Sequence, residues 1–158
     1  MTNEQRAALE ALAGRPLTPE EVAQITPLLA DPRRDDLIAG ILSLNADGTP
    51  RMRNVEIEAW RAVRYFAKRS LWRGIVELAN TAGHPAQAAG QAAADLASVA
   101  GMMIDLADPD EATTMMWAGL IAAGRCTAAD RDTLQSWCRE PAPISTGQVS
   151  DALNAVEV

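Results

Sequence analysis

Apolar residues along this chain recur mainly every three or four positions, the period of a helix that buries one face. The first such segment, "TNEQRAALEALAGRP", has Thr2 and Gln5 at capping-box spacing, apolar Ala7, Ala8 and Leu12, and Gly14 with Pro16 as its stop. "LTPEEVAQITPLLA" repeats the device, with Thr18 as N-cap, Pro19 at the first helical position and Glu21 closing the box. Val22, Ile25, Leu28 and Leu29 form its apolar stripe, and Pro27 predicts a bend or an early stop. "RRDDLIAGILSL" supplies a third helix with Leu37, Ile38, Ile41, Leu42 and Leu44 facing inward.

The pattern changes at "NADGTP", the clearest turn in the chain, and "RMRNVEI" then alternates loosely enough to predict a short extended segment near residues 51–57. From Glu56 to about Asn80 the helical period returns through Ile57, Trp60, Val63 and Phe66, then Leu71, Trp72, Ile75, Val76 and Leu78, with a break near Ser70. On that phase Trp60 and Trp72 are core anchors. The Ala-rich stretch "HPAQAAGQAAADLASVAGMMIDL" predicts a helix with narrow faces that lets its neighbours approach closely, weakened by Gly90 and Gly101. In "ATTMMWAGLIAAG", Met115, Met116, Leu120 and Ile121 surround Trp117 as adaptable core, and Gly124 is the stop. Thr127 with Asp130 opens the next helix, and a last short helix follows a Pro- and Ser-bearing linker.

Asp105, Asp108, Asp110 and Glu111 crowd seven positions and raise the question of a metal ion. An EF-hand loop needs a glycine at its sharp turn and a bidentate Glu later, and "DLADPDEATTMM" has neither. Asp108 as N-cap, Pro109 at the first helical position and two carboxylates in the first turn account for the same residues. The acids are therefore read as the opening of a helix.

At 158 residues the chain has the length of one domain, enough to bury roughly 70% of the surface that its unfolded form exposes. Its net charge of −7 argues against general nucleic-acid binding. The sign is uneven, however. Seven cations (Arg51, Arg53, Arg61, Arg64, Lys68, Arg69 and Arg73) face two acids between residues 51 and 73, a local +5 against −12 elsewhere. Those seven are the candidate partner interface. Arg61, Arg64 and Lys68 share a helix face, which with the aromatics could suit single-stranded nucleic acid; the assignment of the tryptophans to the apolar stripe argues against that.

Conventional reaction chemistry is scarce. His84 is the only histidine, too few with Cys126 and Cys138 for a structural zinc site. The two cysteines flank a single helix and so lie roughly 18 Å apart, beyond disulfide reach. No charged leader with an apolar core opens the sequence, and no run of about 18 apolar residues occurs.

The order of signals from "IDLADPDEATTMMWAGLIAAG" to "VSDAL" is similar to that in the C-terminal half of small Ala-rich proteins encoded among bacteriophage and prophage tail and tail-fibre genes. Asp105, Leu106, Asp108 and Pro109, then Ala122, Ala123, Gly124, Thr127, Ala129, Asp130 and Leu134, and finally Val149, Ala152 and Leu153 carry the likeness. "LTPEEVAQITPLLA" and "DLIAGILS" resemble that group's opening, whereas "RCT" and "PISTGQVS" depart from its pattern. The resemblance implies a phage or prophage virion protein of the tail tip, baseplate or fibre-attachment region, acting by protein–protein assembly, and brings no catalytic residues.

The resulting expectation is an all-α fold of about seven to nine short helices in a single domain, 1–158, read as N-terminal helices (1–50), a basic extended segment and helix (51–83) and Ala-rich C-terminal helices (84–158). We expect no enzymatic activity, cofactor or metal. The expected partners are other virion proteins and further copies of the chain, with no membrane or nucleic acid, in the virion and, during assembly, the host cytoplasm. The alternative is an acidic non-virion phage protein that binds a host factor.

Overall fold

A computed structural model describes residues 1–98 and 101–156. In chain order its elements are α1 (Asn3–Ala13), α2 (Pro19–Ile25), α3 (Asp35–Leu42), β1 (Met52–Asn54), β2 (Ile57–Glu58), α4 (Ala59–Lys68), α5 (Trp72–Ala79), α6 (Gln87–Asp95), β3 (Met103–Ile104), α7 (Glu111–Ala122), α8 (Ala128–Trp137), β4 (Arg139–Pro141) and α9 (Thr146–Asn154). The protein is mostly helical, 57% by residue, but its short strands correct the expectation of a purely all-α chain. The extended segment expected near residues 51–57 became β1 and β2. Met103–Ile104, read as helix, is the strand that pairs antiparallel with β2, Ile57 opposite Ile104 and Glu58 opposite Met103. Gly101, at φ +74°, turns the backbone in a way that a continuing helix does not allow.

Local signals start α1, α2 and α8 where the sequence predicts them. Reciprocal capping boxes join Thr2 to Gln5, Thr18 to Glu21, Thr127 to Asp130 and Ser145 to Gln148. Pro27 has the expected effect, since α2 ends at Ile25 and the chain tightens into a 3-10 turn over Thr26–Leu29. The break near Ser70 is also present: Ser70, at φ 60°, is the non-glycine positive-φ residue among those described, and it separates α4 from α5.

The chain divides into two units, Met1–Arg53 with Pro141–Val158, and Asn54–Glu140. In the first, Leu9, Ile25, Ile38, Leu42, Val149 and Leu153 are all sealed from solvent, so α1, α2, α3 and α9 share one core. Leu37 and Leu44, expected there, are 44% and 40% exposed, because the buried line of α3 runs through Ile38, Ala39 and Leu42 instead. Arg15 fastens the α1–α2 corner by forking onto Glu21 and donating to the Leu44 carbonyl. That guanidinium, against the cost of burial, brings the Glu21 carboxyl down to about 2.

In the second unit α5, α6 and α7 pack closely. A Cβ at Gly90 would stand 2.7 Å from the Ala79 nitrogen, and one at Gly119 would stand 2.4 Å from the Ala89 Cβ. Gly90 is thus more than a weak point in its helix: the missing side chain is what lets α6 approach α5. Trp117 is buried beside Phe66, their ring centroids 6.3 Å apart, and its indole N–H donates to the Leu106 carbonyl.

Two large residues leave the places that periodicity assigned them. Trp60 is 50% exposed and Met115 is 62% exposed. In α4 the buried positions are Ala59, Ala62 and Phe66, a line that turns Trp60 outward. In α7 they are Met116, Trp117 and Leu120. Trp72 is half-buried against the second core. No helix among the described residues is long and apolar enough to cross a membrane.

Candidate partner-binding face

The acids at residues 105–111 are occupied mainly with their own backbone. Asp110, rather than Asp108, is the N-cap of α7, accepting from the Thr113 N–H at 2.7 Å. Asp108 stands two residues earlier and accepts from the Asp110 N–H, while Asp105 accepts from Ala107. The helix therefore starts two positions later than Pro109 suggested, since Asp110 provides the cap itself. Among the described residues no three His, Cys, Asp or Glu side chains gather as a metal site would require. Cys126 and Cys138 are buried free thiols. Burial, with the Asp130 charge nearby, pushes the Cys126 thiol up to about 11, which leaves it protonated and unreactive at neutral pH.

The seven cations of the basic stretch have different environments. Arg51 donates to the Leu12 carbonyl and, with Arg53 on β1, borders a hollow in the first unit. Arg73 pairs with Glu77 one turn along α5. Arg69 reaches Asp130, which is only 2% exposed and also accepts from the Tyr65 hydroxyl at 2.7 Å and from Thr127. Burial alone raises the Asp130 carboxyl, but the Thr127 and Tyr65 hydrogen bonds and the Arg69 charge bring it below its ordinary value. Asp130 thereby fixes the inward side of α4 to the start of α8.

Arg61, Arg64 and Lys68 remain. All three are exposed on one face of α4, and none has a carboxylate within ion-pair distance among the described residues. With Trp60, Tyr65 and Trp137 they line an open hollow of about 450 Å³. Guanidiniums cover the rings: Arg61 lies 5.6 Å from the Trp137 centroid and Arg64 lies 5.7 Å from that of Trp60. The Trp60 indole N–H is also held by Glu58. Beside this end of α4, where the Ala59 N–H donates to the Met102 carbonyl, Met102 and Met103 are 37% and 47% exposed.

The surface is thus cationic, rimmed by apolar side chains and ordered by stacking. A guanidinium resting on a ring keeps its outer N–H fork free for a bidentate carboxylate and loses less freedom on binding one. Sequence reasoning found the three cations but missed Trp60 and Trp137 as their supports. The available signal was the alanine line Ala59–Ala62–Phe66, which is a better helical stripe than the larger residues make. Comparison with known proteins gave no matching family model, no matching curated protein and no matching solved structure.

Proposed function

We propose that the protein is a non-enzymatic assembly component that docks through the outward face of α4, and that it serves in the tail tip, baseplate or fibre-attachment region of a phage particle. The observation that carries the docking is the group Arg61, Arg64 and Lys68, left without acids in a chain whose net charge is −7. Unpaired like charges on one helix face cost stability by mutual repulsion, and an acidic partner removes that cost. The resemblance to small Ala-rich tail-gene products supports the particle. A protein partner is favoured over nucleic acid because the ring faces that bases need for stacking already carry Arg61 and Arg64.

The test is incorporation. Particles made with Arg61→Glu/Arg64→Glu should contain less of the protein than wild-type particles, while the purified variant keeps its helical circular dichroism. Normal copy number in infectious particles would overturn docking through α4. Absence of the wild-type protein from purified particles would instead overturn the virion role and favour a host-factor binder.

A further inference from the structure

We infer that the occupant of the α4 face is a second copy of the same chain, presenting the first turns of α7. This rests on the reading of α4 as a docking surface and names what fills it. Asp108, Asp110 and Glu111 are exposed at the start of α7, and Met115 follows on the same side at 62% exposure, one turn beyond Glu111. No cation lies within ion-pair distance of these acids among the described residues. Asp110 is the cap of its helix, which leaves Glu111 the most available carboxylate.

The two surfaces match in order as well as in sign. On α4, Trp60 and Arg64 are four residues apart; on α7, Glu111 and Met115 are four residues apart. Each interval is about 6 Å along a helix, and each pair lies on one helix face. Laid antiparallel, one register sets Glu111 against Arg64 and Met115 against Trp60 together, with Asp108 directed toward Lys68. The acids then meet the C-terminal, cation-bearing half of α4, and the apolar residues meet where Trp60, Met102 and Met103 are exposed. Antiparallel helices also oppose their dipoles favourably. Because the two surfaces differ, the contact is head-to-tail: one copy keeps its α7 face free and the other its α4 face, the arrangement that builds rings or open chains.

Sedimentation of four proteins at low and high salt tests this: wild type, Arg64→Glu, Glu111→Arg, and the double variant that carries both changes. Wild type should self-associate at low salt and less at high salt. Either single change should weaken association about tenfold or more, the scale of losing one close interfacial charge pair, and the double variant should regain it, since the exchanged charges again face each other. Trp60→Ala and Met115→Ala should each weaken association at both salt concentrations. A wild type that remains monomeric at low salt to its solubility limit overturns the inference. So does a pair of disruptive single changes whose combination restores nothing. The docking reading fails separately: if wild type is monomeric yet Arg61→Glu/Arg64→Glu is lost from particles, α4 docks on a foreign protein, and if neither assay responds to α4, both proposals fall.

Discussion

Helices α4 and α7 each carry one tryptophan, and the two have opposite surroundings. Trp117 is 3% exposed, packed near Phe66 and hydrogen-bonded to the Leu106 carbonyl, whereas Trp60 is 50% exposed beneath Arg64. Helical phase decides the difference. In α7 the large residues Met116, Trp117 and Leu120 are themselves the buried line. In α4 the buried line is Ala59, Ala62 and Phe66, so small residues face the core and the tryptophan is displaced to the surface. Size alone therefore misleads in an Ala-rich chain, where close helix approach makes alanine a core residue.

The largest expected effect tests that contrast directly. Trp117→Ala should cost roughly 3–5 kcal/mol of stability in denaturant unfolding, and Trp60→Ala should stay within about 0.5 kcal/mol, as for a surface change. In the folded protein Trp60 should be accessible to iodide and Trp117 protected. Equal costs for the two replacements would remove the distinction.

A second measurement probes the inward side of α4. Asp130→Ala strands the Tyr65 hydroxyl and the Thr127 N–H, while the exposed Arg69 turns to water, for a loss of about 1–3 kcal/mol. Since the Asp130 carboxyl lies below its ordinary value, its contribution is complete above the ordinary aspartate range and disappears as pH falls through the lowered folded value. The stability gap between wild type and variant should accordingly narrow on acidification. A gap that widens instead contradicts the hydrogen-bonded carboxylate.

Packing of α7 against α6 provides a smaller effect with a counter-intuitive sign. Gly119→Ala should gain about 1 kcal/mol of helix propensity, yet the added methyl meets Ala89 at 2.4 Å and overpacking of this kind costs about 1–3 kcal/mol. We expect a net loss of about 1 kcal/mol, and an increase in melting temperature would show that α6 and α7 have room to separate. Smallest of all, Asp110→Ala should lower the melting temperature by a few degrees and Asp108→Ala by less, reversing the order that the sequence suggests.

Much of the helical layout was legible because its signals are local. Thr2, Thr18, Thr127 and Ser145 each sit three residues before the side chain that completes a box, and Pro27, Ser70 and Gly124 interrupt or end helices within a residue or two of where they stand. What stayed hidden depends on partners distant in sequence. Nothing near Met103 announces a strand whose partner is Glu58, and nothing near Asp130 announces Tyr65 and Arg69. Of the seven cations of the basic stretch, the spacing of Arg61, Arg64 and Lys68 on one face was readable, but the acids that engage Arg69 and Arg73 were not distinguishable from solvent-facing ones.

The first unit is assembled from both ends of the numbering, with Val149 and Leu153 of α9 sealed in the same core as Leu9 and Leu42. Synthesis therefore completes the second unit while the first still lacks a wall. On a ribosome, the residues of α1 and α3 destined for that core wait with their apolar sides uncovered until α9 emerges, an interval in which they depend on chaperones or on luck to avoid unwanted associations. Refolding of the whole chain should retain the same dependence: pulsed hydrogen exchange should find protection in α1 and α3 arriving no earlier than in α9.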